Sequence, residues 1–165
     1  GRLLPEGMMV VHRPLDNPLL EAELRRIRAR FGNRLVGKRR IGSGIVRELA
    51  AGGAVGILLD QRPPPDQAVW APFFGRPTPT HRVLGRLALA TGAPIVPIWG
   101  LWDAPGRYTV RFGRPLWVSD LPEDLRSVEG VTAHCNRVIE AVIRERPQQW
   151  LWYHDRWRDA PPDPG

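Results

Sequence analysis

Gly52-Gly53-Ala54-Val55-Gly56-Ile57-Leu58-Leu59-Asp60-Gln61 is the stretch whose reading sets the fold class. From Ala54 to Leu59 it is continuously apolar with no polar alternation, the pattern of a central strand covered on both faces. Such strands belong to parallel sheets held between helices. The two glycines stop a helix marked by Ile45, Val46 and Leu49. Polar sequence begins abruptly at Asp60-Gln61, at the carboxyl end of the expected strand, which is where ligands collect in open α/β sheets.

Working toward the N-terminus, Met8 to Val11 predicts a short buried strand, followed by His12-Arg13. Asn17-Pro18 reads as a helix start, with Asn17 able to cap and Pro18 suited to the first helical position. Leu20, Leu24, Ile27 and Phe31 then share one helical face, and Gly32 closes the helix. A strand is expected at Arg34 to Val36, before the basic run Lys38-Arg39-Arg40. Working toward the C-terminus, Arg62 to Asp66 is a proline-rich loop and Val69 to Phe74 an extended segment. A helix is expected near Arg82 to Thr91, and a buried strand from Pro94 to about Leu101. Alternation at Tyr108, Val110 and Phe112 predicts a strand with one solvated face. A long helix is expected from Glu129 to Arg146, ended by Pro147, with Cys135, Val138, Ile139, Val142 and Ile143 on its core side. The alternation of strands and helices predicts an α/β fold, a three-layer sandwich with a largely parallel central sheet and helices on both faces. One domain is expected over residues 1–159, with a disordered tail over 160–165.

Composition narrows the function. With 42% hydrophobic and 25% charged residues the chain is globular, and no apolar run approaches the roughly 20 residues of a membrane-spanning helix. The net charge is +7 and Lys38 is the only lysine, so the positive charge is arginine, a planar bidentate binder of phosphate. A GC-rich genome also produces such usage. The basicity reads as spread along the chain, with no RRM, KH or zinc-finger pattern, which argues against nucleic acid as a partner. The lone Cys135 excludes an intrachain disulfide and argues against a zinc site, and no cofactor is expected.

Two polar clusters fall at expected strand ends. Arg13 beside a helix N-terminus suits a phosphate, though Asp16 and Asn17 could serve only as caps. Asp60, directly after six apolar residues, needs a partner, and an ordinary structural ion pair would supply one.

Five segments carry a resemblance. Val11-His12-Arg13-Pro14-Leu15-Asp16-Asn17-Pro18 resembles the "YRPLDNP" segment of the bacterial lipid A biosynthesis acyltransferases, the lauroyl and myristoyl transferases. Gly56-Ile57-Leu58-Leu59-Asp60-Gln61 is similar to their "GILLDQ" strand end, and Pro72-Phe73-Phe74-Gly75-Arg76-Pro77 with Thr80 to their "PFFGRPAxT" segment. Leu87 to Pro97 resembles "LALRTGAPVVP". Arg144 to Trp152, with His154, Arg156 and Trp157, resembles "RxxPEQWLWxHRRW". Together these cover roughly Val10 to Arg158, in the family's order.

The resemblance implies transfer of a fatty acyl chain from acyl carrier protein to a hydroxyl of a phosphorylated glycolipid, at the cytoplasmic face of the inner membrane. No metal and no covalent enzyme intermediate are needed. It implies an H-x4-D/E dyad, a histidine base oriented by a carboxylate, upstream of the "YRPLDNP" segment. Only a few residues precede that segment here, none a histidine, and the expectation is an N-terminally truncated chain, inactive by itself, rather than a degenerate paralogue. Among the histidines present, His12 has Asn17 at the acidic position, His81 has Arg86 and His134 has Ile139. His154 has Asp159, but within the C-terminal "WxH" signature, where a packed or capping histidine is expected. On this reading Arg13, Asn17, Arg39 and Arg40 contact the phosphorylated substrate, and Asp60 and Gln61 shape the site floor. Of the seven tryptophans, Trp99, Trp102, Trp150, Trp152 and Trp157 are expected in the core, some of them otherwise at a membrane interface. The rival readings are a phosphatidylinositol mannoside acyltransferase, which shares these motifs, and a non-catalytic lipid-binding or interaction module.

Overall fold

The computed structural model describes residues 7–12, 14–37 and 41–158. The chain forms two compact units, Gly1–Leu58 and Leu59–Gly165.

In the first unit, β1 (Met9–His12) lies between β2 (Arg34–Gly37) and β3 (Val55–Gly56), both parallel to it. Helix α1 (Pro18–Ala29) connects β1 to β2, and α2 (Ile41–Ala50) connects β2 to β3. Parallel neighbours need such crossovers, because a tight turn only reverses the chain. Asn17 caps α1, its Oδ1 accepting the N–H groups of Leu19 at 2.9 Å and Leu20 at 3.3 Å. The chain leaves α2 through a left-handed Gly52, φ +79°, with Gly53 N–H donating to Glu48 O.

The apolar run is not the central strand. Only Val55–Gly56 pairs, and it pairs at one edge of the sheet, whose middle is β1. Leu58 is 76% exposed, and the next residue, Leu59, is buried with Leu121, Val131 and Cys135 in the core of the second unit. An unbroken apolar run can be a doubly covered strand, or it can carry the chain from one core to another. The spacing of its residues is the same in both cases. Here it does the second.

The second unit is mixed rather than parallel. β4 (Ala68–Phe73) and β5 (Arg76–His81) form an antiparallel hairpin, as do β6 (Ile98–Ala104) and β7 (Arg107–Phe112). Among the described residues the expected single, largely parallel sheet is therefore seen only in β2-β1-β3, within a fold that is mixed α/β. The cause is local. Phe74-Gly75 and Pro105-Gly106 are two-residue connections, too short for any crossover. Phe74 and Gly75 both have positive φ, +50° and +78°, which is the turn geometry whose twist suits a hairpin. The extended segment expected from Val69 is β4. The strand expected from Pro94 starts later, at Ile98, after an isolated bridge between Ile95 and Leu116.

Helix α4 (Val128–Glu145) packs on β4, and α3 (Val83–Thr91) packs on α4. The two helices come so close at Gly85 that a Cβ there would meet Val128 O at 2.9 Å. Ser127 caps α4 through Gly130 N–H. The buried face of α4 includes Cys135 and Ile143, as its apolar spacing predicts, but also Val131, Asn136 and Glu140. The two polar residues grip the β4–β5 hairpin. Asn136 Nδ2 donates to Pro72 O and Thr80 Oγ1, while Glu140 Oε1 accepts Phe74 N–H at 2.8 Å. Among the described residues, no helix is long and apolar enough to cross a membrane.

Candidate functional site

At the carboxyl end of β1, His12 is only 6% exposed. Its Nε2 lies 3.3 Å from Arg25 Nη1 and 3.8 Å from the Glu21 carboxylate. A guanidinium only donates, so Nε2 is the atom that can accept from Arg25, and Nδ1 is buried with no hydrogen-bond partner. Glu21 is fixed by Leu15 N–H at 2.9 Å. That bond does most to hold its carboxyl below the usual carboxylate range, with His12 and then Arg25 adding to it against the opposing effect of burial. The sequence reading rejected His12 as a base because Asn17 carries no charge. The structure gives His12 a carboxylate from one helical turn further on, yet encloses the imidazole and commits its Nε2 to Arg25. Glu21 itself went unnoticed in the sequence. Its signal is its place four residues after the Asn17 cap, on the first turn of α1.

Of the residues expected to hold substrate here, Arg13, Arg39 and Arg40 lie outside the described residues. Asn17 is the helix cap, with its side-chain oxygen committed to that role.

Asp60 and Gln61 fall in the second unit, around a buried arginine that sequence reasoning left without a role. Arg156 has no exposed surface. Its Nη1 donates to Pro79 O at 2.8 Å and Gln61 O at 3.3 Å, and its Nη2 to Thr80 Oγ1 at 3.1 Å. Its guanidinium lies 5.2 Å from the centroid of the Phe73 ring. Burial pulls its pKa down to about 10, and the negative charge of Asp60 counters part of that pull. Arg156 therefore stays cationic at neutral pH. Asp60 has the cationic neighbour that its position after an apolar run demands, while its Oδ1 is buried without a hydrogen bond. Gln61 is bound here through its backbone carbonyl. The signal for Arg156 was the aromatic segment around it. Trp157 stacks on Phe73 at 5.5 Å and donates its indole N–H to Phe73 O, and Trp150 lies 6.2 Å from the same ring. These two indoles pack against the hairpin as a core reading expects, whereas Trp102 and Trp152 are about half exposed.

The other histidines have local roles or surroundings. His81 Nδ1 accepts Val83 N–H at the start of α3. His134, pushed below the usual histidine range by burial and then by Arg137, lines an open groove of about 340 Å³ with Trp99, Val138 and Val142. Asp60 and Gln61 do not line it. His154 is half-buried, and Asp159 lies outside the described residues. Cys135 is buried, and its pKa is pushed up to about 11 by that burial, so it is an inert core thiol.

Comparison with known proteins identifies the kinship of these features. The profile of a family described as bacterial lipid A biosynthesis acyltransferase matches residues 3–159. A lipid A biosynthesis palmitoleoyltransferase of Escherichia coli (strain K12) is 31% identical over 163 residues, covering 96% of this chain and 50% of that protein. The lauroyltransferase of the same organism is 28% identical, over 92% of this chain and 48% of that protein. Its myristoyltransferase is 24% identical, over 82% and 41%. The chain thus spans about half the length, or less, of the curated relatives it matches. On the strength of a match along nearly its whole length, the chain belongs to the bacterial lipid A biosynthesis acyltransferase family.

Proposed function

We propose that this chain forms the acceptor-holding part of an O-acyltransferase of lipid A biosynthesis, which takes a fatty acyl group from acyl carrier protein. The observation that carries this reading is the 31% identity to a palmitoleoyltransferase across 96% of the chain, which includes all five motif segments. The acceptor hydroxyl attacks the thioester carbonyl. The O–C bond forms as the C–S bond breaks, and the hydroxyl proton passes through a general base to the departing thiol. Arg13 and the Arg39-Arg40 pair bind phosphates of the acceptor or of the donor's phosphopantetheine, and Asn17, the cap of α1, contacts the same substrate. Asp60 and Gln61, arranged around Arg156 in the second unit, complete the set of residues assigned to substrate. The relatives are named for lipid A, which favours that acceptor over a mannosylated phosphatidylinositol.

The base is assigned to an H-x4-D/E histidine outside these 165 residues. His12 is enclosed and bonded to Arg25, and the Nδ1 of His81 is occupied in a helix start. In the whole enzyme the parallel β2-β1-β3 layer extends into a three-layer sandwich at the cytoplasmic face of the inner membrane. A chimera tests the reading: this chain replaces the matching half of the Escherichia coli palmitoleoyltransferase. It should acylate a lipid A precursor from acyl carrier protein and lose that activity on Arg13→Ala. A folded chimera that binds both substrates but makes no ester would overturn it.

A further inference from the structure

We infer that helix α1 is the docking face of this chain for an anionic lipid bilayer. The helix has no buried residue, although it carries the apolar stripe that its sequence predicts. Leu19, Leu20 and Ile27 are exposed by 80%, 59% and 54%, and Phe31, one turn on, by 47%. At about 100° per residue Leu20, Ile27 and Phe31 share one face with Leu24. Arg26 and Arg30 lie along one side of that stripe and Arg28 along the other. Glu23 neutralises Arg26 through two short bonds. The Arg30 guanidinium lies 5.5 Å from the centroid of the Phe31 ring, a charged head beside an apolar body, as side chains arrange themselves at an interface.

Charge distribution points the same way. Residues 1–58 hold eleven lysines and arginines against five acidic residues, a net +6 of the chain's +7. The basicity that looks evenly spread when read along the sequence is concentrated once the chain is divided into its units. A bilayer of anionic lipid satisfies both features together. It takes the apolar stripe at the acyl boundary and sets phosphates against the arginines. Nucleic acid would use the arginines but leave the stripe in water. Another uncovered apolar face, formed by Ile98, Trp102, Tyr108, Val110 and Phe112 on the β6–β7 hairpin, belongs to the unit with a net charge of only +1.

The inference rests on the acyltransferase reading only in choosing a bilayer as the surface to be reached. Its test contains neither acceptor glycolipid nor carrier protein, so the two stand or fall separately. The purified chain is sedimented with vesicles of phosphatidylethanolamine and phosphatidylglycerol, and with vesicles of phosphatidylcholine alone. Binding is expected to the anionic vesicles and to weaken with salt. It should be lost in the double variant Leu20→Ser/Ile27→Ser and fall about fivefold for each of Arg28→Gln and Arg30→Gln. Tyr108→Ser/Phe112→Ser should bind unchanged. Circular dichroism checks the fold, and the two arginine variants lie on the exposed surface of the helix. Failure to bind anionic vesicles, unchanged binding by the α1 variants, or loss in the hairpin variant instead would overturn the inference. So would concentration-dependent self-association abolished by Leu20→Ser/Ile27→Ser without vesicle binding, which would assign the stripe to a second copy.

Discussion

Arg156 brings a full charge into the second unit, where the backbone carbonyls of Gln61 and Pro79 and the hydroxyl of Thr80 receive it. Breaking such a buried arrangement from one side costs about 3–5 kcal/mol, because the groups left behind have lost both water and partner. Arg156→Met should therefore lower unfolding stability in urea by that amount. Arg156→Lys should recover little, since an ammonium cannot reproduce the planar fork that meets three acceptors. A loss under about 1 kcal/mol in the methionine variant would mean that the arginine is not needed to hold this corner. The need for a partner was legible in the sequence at Asp60, a carboxylate after six apolar residues. Which arginine answers it was not, because Arg156 lies almost a hundred residues away and nothing local connects the two.

Elements meet most informatively where β1 turns into α1. Asn17 caps the helix, Glu21 receives Leu15 N–H, and the same carboxylate stands near His12 and Arg25. The folded structure holds the Glu21 carboxyl below its usual pKa of 4.5, so the unfolded chain binds that proton more readily. The resulting stability is present above the unfolded pKa and is lost as pH falls through the folded one. Glu21→Gln should then be less stable than the parent at neutral pH, with the gap closing below about pH 4. A gap that stays constant with pH in thermal unfolding would remove the carboxylate charge from the account. The cap was readable from Asn17-Pro18, and so was the helix. Other elements were hidden. β5 escaped notice because Pro77 and Pro79 alternate through it. A hairpin edge tolerates prolines whose missing N–H groups point away from the partner strand, so composition argued against a strand that tertiary pairing allows. The strand expected over Ala54 to Leu59 pairs only at Val55–Gly56, because pattern alone does not mark where a chain leaves one core for another.

At the scale of the molecule, a parallel β-α-β-α-β layer and a mixed unit of hairpins and helices share one chain. The alternation of elements made the α/β class legible, while the division near Leu58–Leu59 was concealed inside the most hydrophobic stretch of the sequence. That division also sorts the charge, giving residues 1–58 a net +6 of the chain's +7. That charge is what the phosphorylated acceptor proposed above requires, and the chain belongs to the bacterial lipid A biosynthesis acyltransferase family. The most direct measurement incubates the purified 165-residue chain with acyl-acyl carrier protein and a phosphorylated lipid A precursor, following precursor binding by titration and ester formation by mass spectrometry. The account predicts salt-sensitive binding of the precursor and no ester product. Ester formed by this chain alone, or a precursor that does not bind, would contradict it.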